Sequence, residues 1–317
     1  MNQQLEALRT AANVTGLAVA YVSGGHVSDV QLLGEDAGES LQRSTRWRVA
    51  SLTKPVFVYG AMLLVKSGLL DLDRPLQFYL PHPYLDDQPY VPLMTARHAM
   101  SHTTGFPNWR DGHGLIAAFE PGTKFSYSSE GLTCLQVVAE HIVGMPMSTY
   151  LKTHVFTPLG MQHTQLQQEA AGELPPALRF LKGNLLANCA LSLTTTIEDY
   201  ARFMNAMLSA DEVAGEMLQP QIAIRGIPNL YWGLGWGLQV TGNTTSFWHW
   251  GARSTPYALC FAMGIPTEQR AIVVFTNHSD GLYLCKQIVE LWADGSPIPA
   301  FDWLLPARDW RPDGKAR

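Results

Sequence analysis

Ser51 and Lys54 lie three residues apart in Trp47-Arg48-Val49-Ala50-Ser51-Leu52-Thr53-Lys54-Pro55, just ahead of a long apolar helical pattern. On a helix, residues three apart share one face about a turn apart, so this hydroxyl and this amine can meet. A serine hydroxyl is a weak nucleophile at neutral pH, and a neutral amine beside it can take its proton. The start of a helix also turns free backbone N–H groups toward reacting atoms. The spacing predicts an acylated Ser51 with Lys54 as its base. Alone, the same four residues also read as a capping serine followed by an exposed lysine, so the rest of the chain has to decide.

Other chemistries find less support. His98 and His102 are four apart, but no Glu lies between them, so the His-Glu-x-x-His pattern of a zinc hydrolase is missing. Cys134, Cys189, Cys260 and Cys285 are widely spaced, and three sit in apolar runs. They read as buried thiols rather than a disulfide framework, and no Cys/His cluster has zinc-site spacing. The chain lacks Gly-x-Ser-x-Gly, which removes the nucleophile elbow of α/β-hydrolases. No cofactor is expected.

The 317 residues are 46% hydrophobic and 15% charged, ample for one large domain or two lobes. Net charge is −5, no basic block suggests nucleic acid, and the mild acidity suggests only solubility. No apolar run approaches the roughly 20 residues of a membrane span. The first residues, Met1-Asn2-Gln3-Gln4-Leu5-Glu6, carry neither a basic region nor a long apolar core. As written, the expectation is a cytoplasmic protein, or a periplasmic or secreted one if a signal was removed. Oligomeric state is left open.

The elements that must position Ser51 follow from periodicity. Residues 17–22 and 27–33, joined by Ser23-Gly24-Gly25-His26, predict an antiparallel hairpin preceded by a short amphipathic helix in 1–12. A helix is predicted from Ser51 to about Ser67, with Gly68 ending it. Residues 76–92 read as loop, and Thr95 caps a short helix to about His102. Helices are predicted over 132–143 and 148–155, and 165–180 reads as a surface loop. Thr196 and Asp199 form a capping pattern for a helix carrying Tyr200, Phe203, Met204 and Met207. Strands are predicted at 232–240, 246–250, 257–263 and 271–276, then a helix at 283–291 and a Pro-rich irregular stretch at 294–317. This layout predicts an α+β fold: an antiparallel sheet flanked by helices and formed from both chain ends, with an inserted, mainly helical lobe. The expected division is 1–75 with 231–317 as the sheet lobe and 76–230 as the helical lobe, in one overall domain. A cleft between them is a natural place for a small-molecule site.

Seven short motifs, in this order and spacing, resemble the serine β-lactamase and penicillin-binding protein superfamily. They are Arg48-Val-Ala-Ser-Leu-Thr-Lys-Pro55, Leu70-Asp71-Leu72-Asp73, Ser101-His-Thr-Thr-Gly105, Phe125-Ser126-Tyr127-Ser128-Ser129, Pro158-Leu-Gly-Met161, Trp232-Gly-Leu-Gly-Trp236 and His249-Trp250-Gly251. The chain looks most like the class C β-lactamases, the D-alanyl-D-alanine carboxypeptidases and the related esterases. The resemblance implies a β-lactamase/transpeptidase-like fold and the following roles. Ser51 is the acylated serine and Lys54 its lysine. Tyr127 matches the tyrosine of Tyr-x-Asn, a proton shuttle if cationic neighbours stabilise its phenolate. His249 opens the match to Lys-Thr-Gly and supports Tyr127 or a substrate carboxylate. Backbone N–H groups of Ser51 and Ala252 form the oxyanion hole. Ser129, Trp250, Gly251, Asn108 and Trp109 border the substrate cleft, with Gly251 letting substrate lie close to the strand.

Two departures stand out. Ser129 replaces the asparagine of Tyr-x-Asn, and His249 with Trp250 replaces the lysine and threonine of Lys-Thr-Gly. Both weaken the fit to efficient β-lactam hydrolysis and favour the esterase and peptidase-like branches. The resemblance implies a serine hydrolase for a small ester, a β-lactam or a D-amino-acid amide. The alternative is a catalytically idle binding or regulatory protein on the same scaffold.

Overall fold

The computed structural model describes residues 2–80, 89–109, 115–167, 187–209, 211–254 and 257–305. Its spine is an antiparallel sheet of nine strands among these residues. From one edge to the other they are Glu39–Ser40, His26–Asp36, Gly16–Ser23, Arg270–Thr276, Tyr257–Ile265, Thr244–Ser254, Gly237–Thr241, Leu230–Trp232 and Ile222–Ala223. The two chain ends meet at the sheet centre, where Leu17 pairs with Thr276 and Val22 with Ala271. The fold is α+β, as the layout of elements predicts.

Alternation along the strands explains why these segments are apolar throughout. Successive side chains point to opposite faces. Ala18, Ala20, Val273, Phe275, Ala262 and Phe247 face one core, with the helices Thr53–Lys66 and Ile197–Leu208. Leu17, Val19, Ile272, Val274, Phe261 and Trp248 face the other, with Asn2–Ala11, Gly281–Trp292 and Pro299–Leu304. Both faces are covered, so no clean polar/apolar alternation survives in the central strands. The first strand of the chain, at the less covered side, is followed by His26–Asp36, whose residues are mostly half-buried or exposed.

The helix expected to begin at Ser51 does so only after a tight turn. Ala50–Leu52 forms a 3-10 turn, and the α-helix runs Thr53–Lys66. Eleven of its fourteen residues, from Thr53 to Leu64, are buried, which makes it a central core helix rather than an amphipathic surface one. Pro55 is tolerated because the first-turn N–H groups have no intrahelical acceptor.

Several boundaries differ from the sequence reading. The stretch 232–240 is not one strand: Gly235 turns the chain at φ +78°, so Trp232 pairs back onto Gly237. The helix placed at 132–143 runs Ser129–Val143, because Ser128 caps it by accepting from Gly131 N–H at 3.1 Å. Within 76–92, Leu76–Tyr79 and Val91–Leu93 are 3-10 turns, while 81–88 lie outside the described residues. Gln165–Leu166 joins Leu193–Thr195 and Trp47–Arg48 in a small sheet; 168–180 lie outside the described residues. In the Pro-rich tail, Pro299 opens a short helix to Leu304, since its fixed φ suits a helix start. A helix Glu212–Met217, capped by Asp211, had no clear periodic signal. Thr196 does cap Ile197–Leu208, accepting from Asp199 N–H at 3.2 Å.

Candidate active site

Ser51 sits in the 3-10 turn between the strand Trp47–Arg48 and the core helix. The turn is held from several sides. Val49 N–H donates to Leu193 O at 3.1 Å. Thr53 Oγ1 donates to Ala50 O at 2.5 Å and accepts from Leu193 N–H at 2.9 Å. The Tyr200 hydroxyl donates to Leu52 O at 3.0 Å. Ala50 itself has φ +46°, a left-handed conformation that L residues with a Cβ rarely adopt. Such strain is on the order of 1–3 kcal/mol and persists where the surroundings over-determine it. Here it sits directly before the nucleophile candidate.

Lys54 is fully buried, and its Nζ lies 2.9 Å from Ser51 Oγ. The amine also donates to Ala190 O at 2.8 Å. Burial holds its pKa well below the usual lysine range. The helical spacing therefore brings together the pair that the sequence singled out, and burial shifts the amine toward its free-base form. Ala190 is fixed by a buried polar turn. Its N–H donates to Asn188 Oδ1 at 2.7 Å, and Asn188 Nδ2 donates to Thr133 Oγ1 at 3.2 Å. Cys189 N–H donates to Gln136 Oε1 at 2.9 Å.

Tyr127 faces this pair. The Lys54 Nζ stands 5.0 Å from its ring centroid, and its hydroxyl is buried beside Ser51 without closing a hydrogen bond of standard geometry. Burial raises its pKa above the usual tyrosine value, and the Ser51 hydroxyl opposes this more weakly. The expected phenolate with cationic neighbours is not what this environment favours. Burial lowers the Lys54 pKa well below the usual lysine range, and burial first of all pushes that of His249 down to about 3. At neutral pH, Tyr127 is a phenol.

His249 lies on the strand Thr244–Ser254, with its Nδ1 2.7 Å from Trp250 O and its Nε2 buried without a partner. Its ring centroid is 6.2 Å from that of Tyr127, beneath the cleft rather than at its surface. Trp250 covers Tyr127 at 4.8 Å and meets Trp303 of the terminal helix at 5.2 Å. The close approach at Gly251 is to the chain's own backbone, not to open space. A Cβ there would lie 2.1 Å from Val49 O, so glycine is what lets this strand dock on the nucleophile turn. Ala252 follows it, exposed, opposite Leu259.

On the other wall, Trp109 has its ring 5.9 Å from Lys54 Nζ. Asn108 is exposed and Ser129 buried, and the two are joined: Ser129 Oγ donates to Asn108 Oδ1 at 2.8 Å. All the sequence-derived candidates thus border one region, some as lining and some as support.

The sequence reading passed over His102, weighing it only as a zinc ligand. It is fully buried at φ +56°, with its ring 4.3 Å from that of Tyr127 and 5.0 Å from Trp232. Its Nδ1 meets both Ser128 O at 3.0 Å and Ser128 N at 3.1 Å, tying the Tyr127 loop to the loop before it. Burial, the largest cause, lowers its pKa well below the usual histidine value. Its place in Ser101-His-Thr-Thr-Gly105 was the available signal. The Asn188–Ala190 turn had no such signal. Among the described residues, no group of three or more His, Cys, Asp or Glu is placed to hold a metal ion, and no helix is long and apolar enough to cross a membrane.

Comparison with known proteins gives a consistent picture. A family model described as Beta-lactamase matches residues 1–284. Penicillin-binding protein 4* of Bacillus subtilis (strain 168) is 31% identical over 150 residues, covering 40% of this chain and 32% of that protein. Esterase EstB of Burkholderia gladioli is 30% identical over 162 residues, covering 41% of each. The chain therefore spans well under half the length of these two relatives. The octameric penicillin-binding protein homologue from Pyrococcus abyssi superposes with a TM-score of 0.75 at 18% identity, over 94% of this chain and 78% of that one. At that identity the likeness is one of fold.

Proposed function

The chain belongs to the beta-lactamase family, and from that premise we propose that it is a serine hydrolase working through a covalent acyl-enzyme on Ser51. The observation that carries this reading is the 2.9 Å contact between Ser51 Oγ and a Lys54 amine kept neutral by burial. Proximity and a free base together supply what an isolated serine lacks.

The steps follow from the atoms present. Ser51 Oγ attacks the substrate carbonyl as Lys54 takes the hydroxyl proton. The tetrahedral oxyanion is held by the backbone N–H groups of Ser51 and Ala252; losing one such donor typically lowers the rate by about 10²–10³. As the intermediate collapses, the Tyr127 hydroxyl gives its proton to the leaving atom and is reprotonated from Lys54. Water then enters and attacks the acyl carbon, passing a proton to Lys54 through Tyr127; Lys54 returns that proton to Ser51 Oγ as the acid leaves. Tyr127 therefore begins each turnover as an acid, in keeping with its raised pKa. His249, buried and neutral, is a positioning residue beneath Tyr127 rather than a charged anchor.

Substrate class follows from the same charges. A β-lactam carries a carboxylate, and neither His249 nor Lys54 supplies a cation for it. Trp250 brings an aromatic face instead. We therefore favour a small ester or a D-amino-acid amide over a β-lactam. A fluorophosphonate probe should add its mass to the wild-type protein at Ser51 and leave Ser51→Ala unlabelled, as read by intact mass and peptide mapping. Labelling that persists in the variant at another serine overturns the assignment.

A further inference from the structure

We propose that Thr53 is a positioning residue for the oxyanion donor of Ser51: its hydroxyl holds and polarises the Ala50–Ser51 peptide, whose N–H stabilises the developing negative charge. This rests on the Ser51 acyl-enzyme reading and deepens it by naming a side chain that acts on the reaction through the backbone.

The direction of each hydrogen bond follows from its partners. Leu193 N–H donates to Thr53 Oγ1 at 2.9 Å, so that oxygen accepts there and its own hydrogen is left for another group. Ala50 O, 2.5 Å away, can only accept. The donors therefore run one way: Leu193 N–H to Thr53 Oγ1, Thr53 O–H to Ala50 O, and from Ala50 C=O across the peptide bond to Ser51 N–H. A peptide is one conjugated unit. A hydrogen bond accepted at its oxygen draws electrons from its nitrogen and makes its N–H a stronger donor. Ser51 stands in the turn that opens the core helix, where N–H groups have no intrahelical acceptor and are available to a substrate oxygen.

The hydroxyl does more than satisfy a helix end. Thr53 N–H already donates to Ala50 O, so the hydroxyl is a second donor on the same oxygen. Thr53 is fully buried, where water does not compete for these bonds. Ala50, at φ +46°, is strained, so the peptide that carries Ser51 N–H needs outside contacts to keep its orientation. The neighbouring carbonyls of the turn are held by other groups: Val49 O accepts from Leu52 N–H at 3.1 Å, and Leu52 O from the Tyr200 hydroxyl at 3.0 Å. The Thr53 side chain thus serves one peptide of the turn, the one that ends at the nucleophile's own nitrogen.

The test changes the atom that the donor must hold. Sulfur accepts hydrogen bonds weakly, so a thionoester gains less than its ester from an oxyanion donor. p-Nitrophenyl acetate and O-p-nitrophenyl thionoacetate release the same nitrophenolate and differ in this one atom. Thr53→Val removes the hydroxyl and leaves Ser51, Lys54 and Tyr127 unaltered in type. The ratio of kcat/KM for the ester over the thionoester should fall about tenfold in this variant, the equivalent of one hydrogen bond and less than the loss of about 10²–10³ for a donor removed outright. Thr53→Ser restores the hydroxyl and should return the ratio to within about twofold of wild type. Leaving Leu193 N–H without its acceptor also lowers stability, but that effect falls equally on both substrates. Thr53→Ala puts no methyl against Ala50 O; it should give the same fall, and it decides the matter if the valine variant does not fold. Equal falls for both substrates, an unchanged ratio, or a lowered ratio that Thr53→Ser fails to restore overturns the proposal. Failure of the Ser51 reading would show differently, as absent fluorophosphonate labelling of the wild type. With that label present and the ratio unmoved, the role of Thr53 alone falls.

Discussion

Replacing Lys54 with methionine tests the base and its protonation state together. In the folded protein Lys54 is buried and held well below 10.5. Between that folded value and 10.5, the unfolded chain binds a proton that the folded chain does not. Unfolding free energy therefore rises with pH across the interval, at about 1.4 kcal/mol per pH unit for this one group. Methionine is similar in length, fills irregular buried space and does not titrate. The remaining titrations are common to both proteins and cancel in the difference. Below pH 10.5 and above the folded value, the stability of wild type relative to Lys54→Met should rise with pH, with a slope that approaches about 1.4 kcal/mol per unit. A constant offset of about 1–3 kcal/mol, from leaving Ala190 O without its donor, sits under this trend and does not change its slope.

Urea unfolding at pH 8 and pH 9 measures the difference directly, provided the m-values agree. The same variant should acylate about 10²–10⁴ times more slowly, the usual range for a lost general base. If the two stability profiles run parallel from pH 8 to 9, Lys54 is an ammonium in the folded state. The free-base mechanism then falls, whatever the activity of the variant.

Two further predictions concern the strand beside the nucleophile. Gly251→Ala places a Cβ 2.1 Å from Val49 O and 3.5 Å from Leu52 N, so the strand or the nucleophile turn must shift. The expected loss is about 1–3 kcal/mol in stability, with slower Ser51 labelling; an unchanged Tm and labelling rate would refute the docking role. His249, with its pKa near 3, should show a flat imidazole Cε1–H shift by NMR from pH 5 to 8. Since its folded pKa is depressed, its neutral form contributes stability that is lost as pH falls from 6.5 toward 3. A titration midpoint between pH 5 and 8 would contradict this.

Sheet, core helix and the Ser51–Lys54 pair were legible because each is a local pattern. Two apolar hairpin arms at one end and four apolar runs at the other can bury both faces only by joining, and they do so at Leu17 and Thr276. A three-residue spacing on a helix needs no tertiary knowledge to bring an amine to a hydroxyl. What escaped the reading depends on contacts far apart in the chain. Ala190 reaches Lys54 across 136 residues, and no property of Asn188-Cys189-Ala190 as a string announces it. Gly251 was read as room for substrate, yet the close neighbour is Val49, about two hundred residues earlier. Tyr127 was read as a proton shuttle if cationic neighbours stabilise its phenolate. Burial disfavours the charged form of both Lys54 and His249, and burial is a property of the assembled fold.

That reversal links the departures at positions 129, 249 and 250. A permanent cation at 249 would sit in the field of Lys54, favouring the neutral amine and the Tyr127 phenolate at the same time. With a neutral histidine there, burial is the influence left to lower Lys54, and Tyr127 stays protonated. The proton inventory then runs from one base, Lys54, to one acid, Tyr127, with no ionic anchor between them. On the proposed reading, a cleft so arranged holds its substrate by packing against Trp109 and Trp250 and by directed hydrogen bonds. On the proposed reading, a neutral histidine at 249 goes with neutral carbonyl substrates rather than carboxylate-bearing ones.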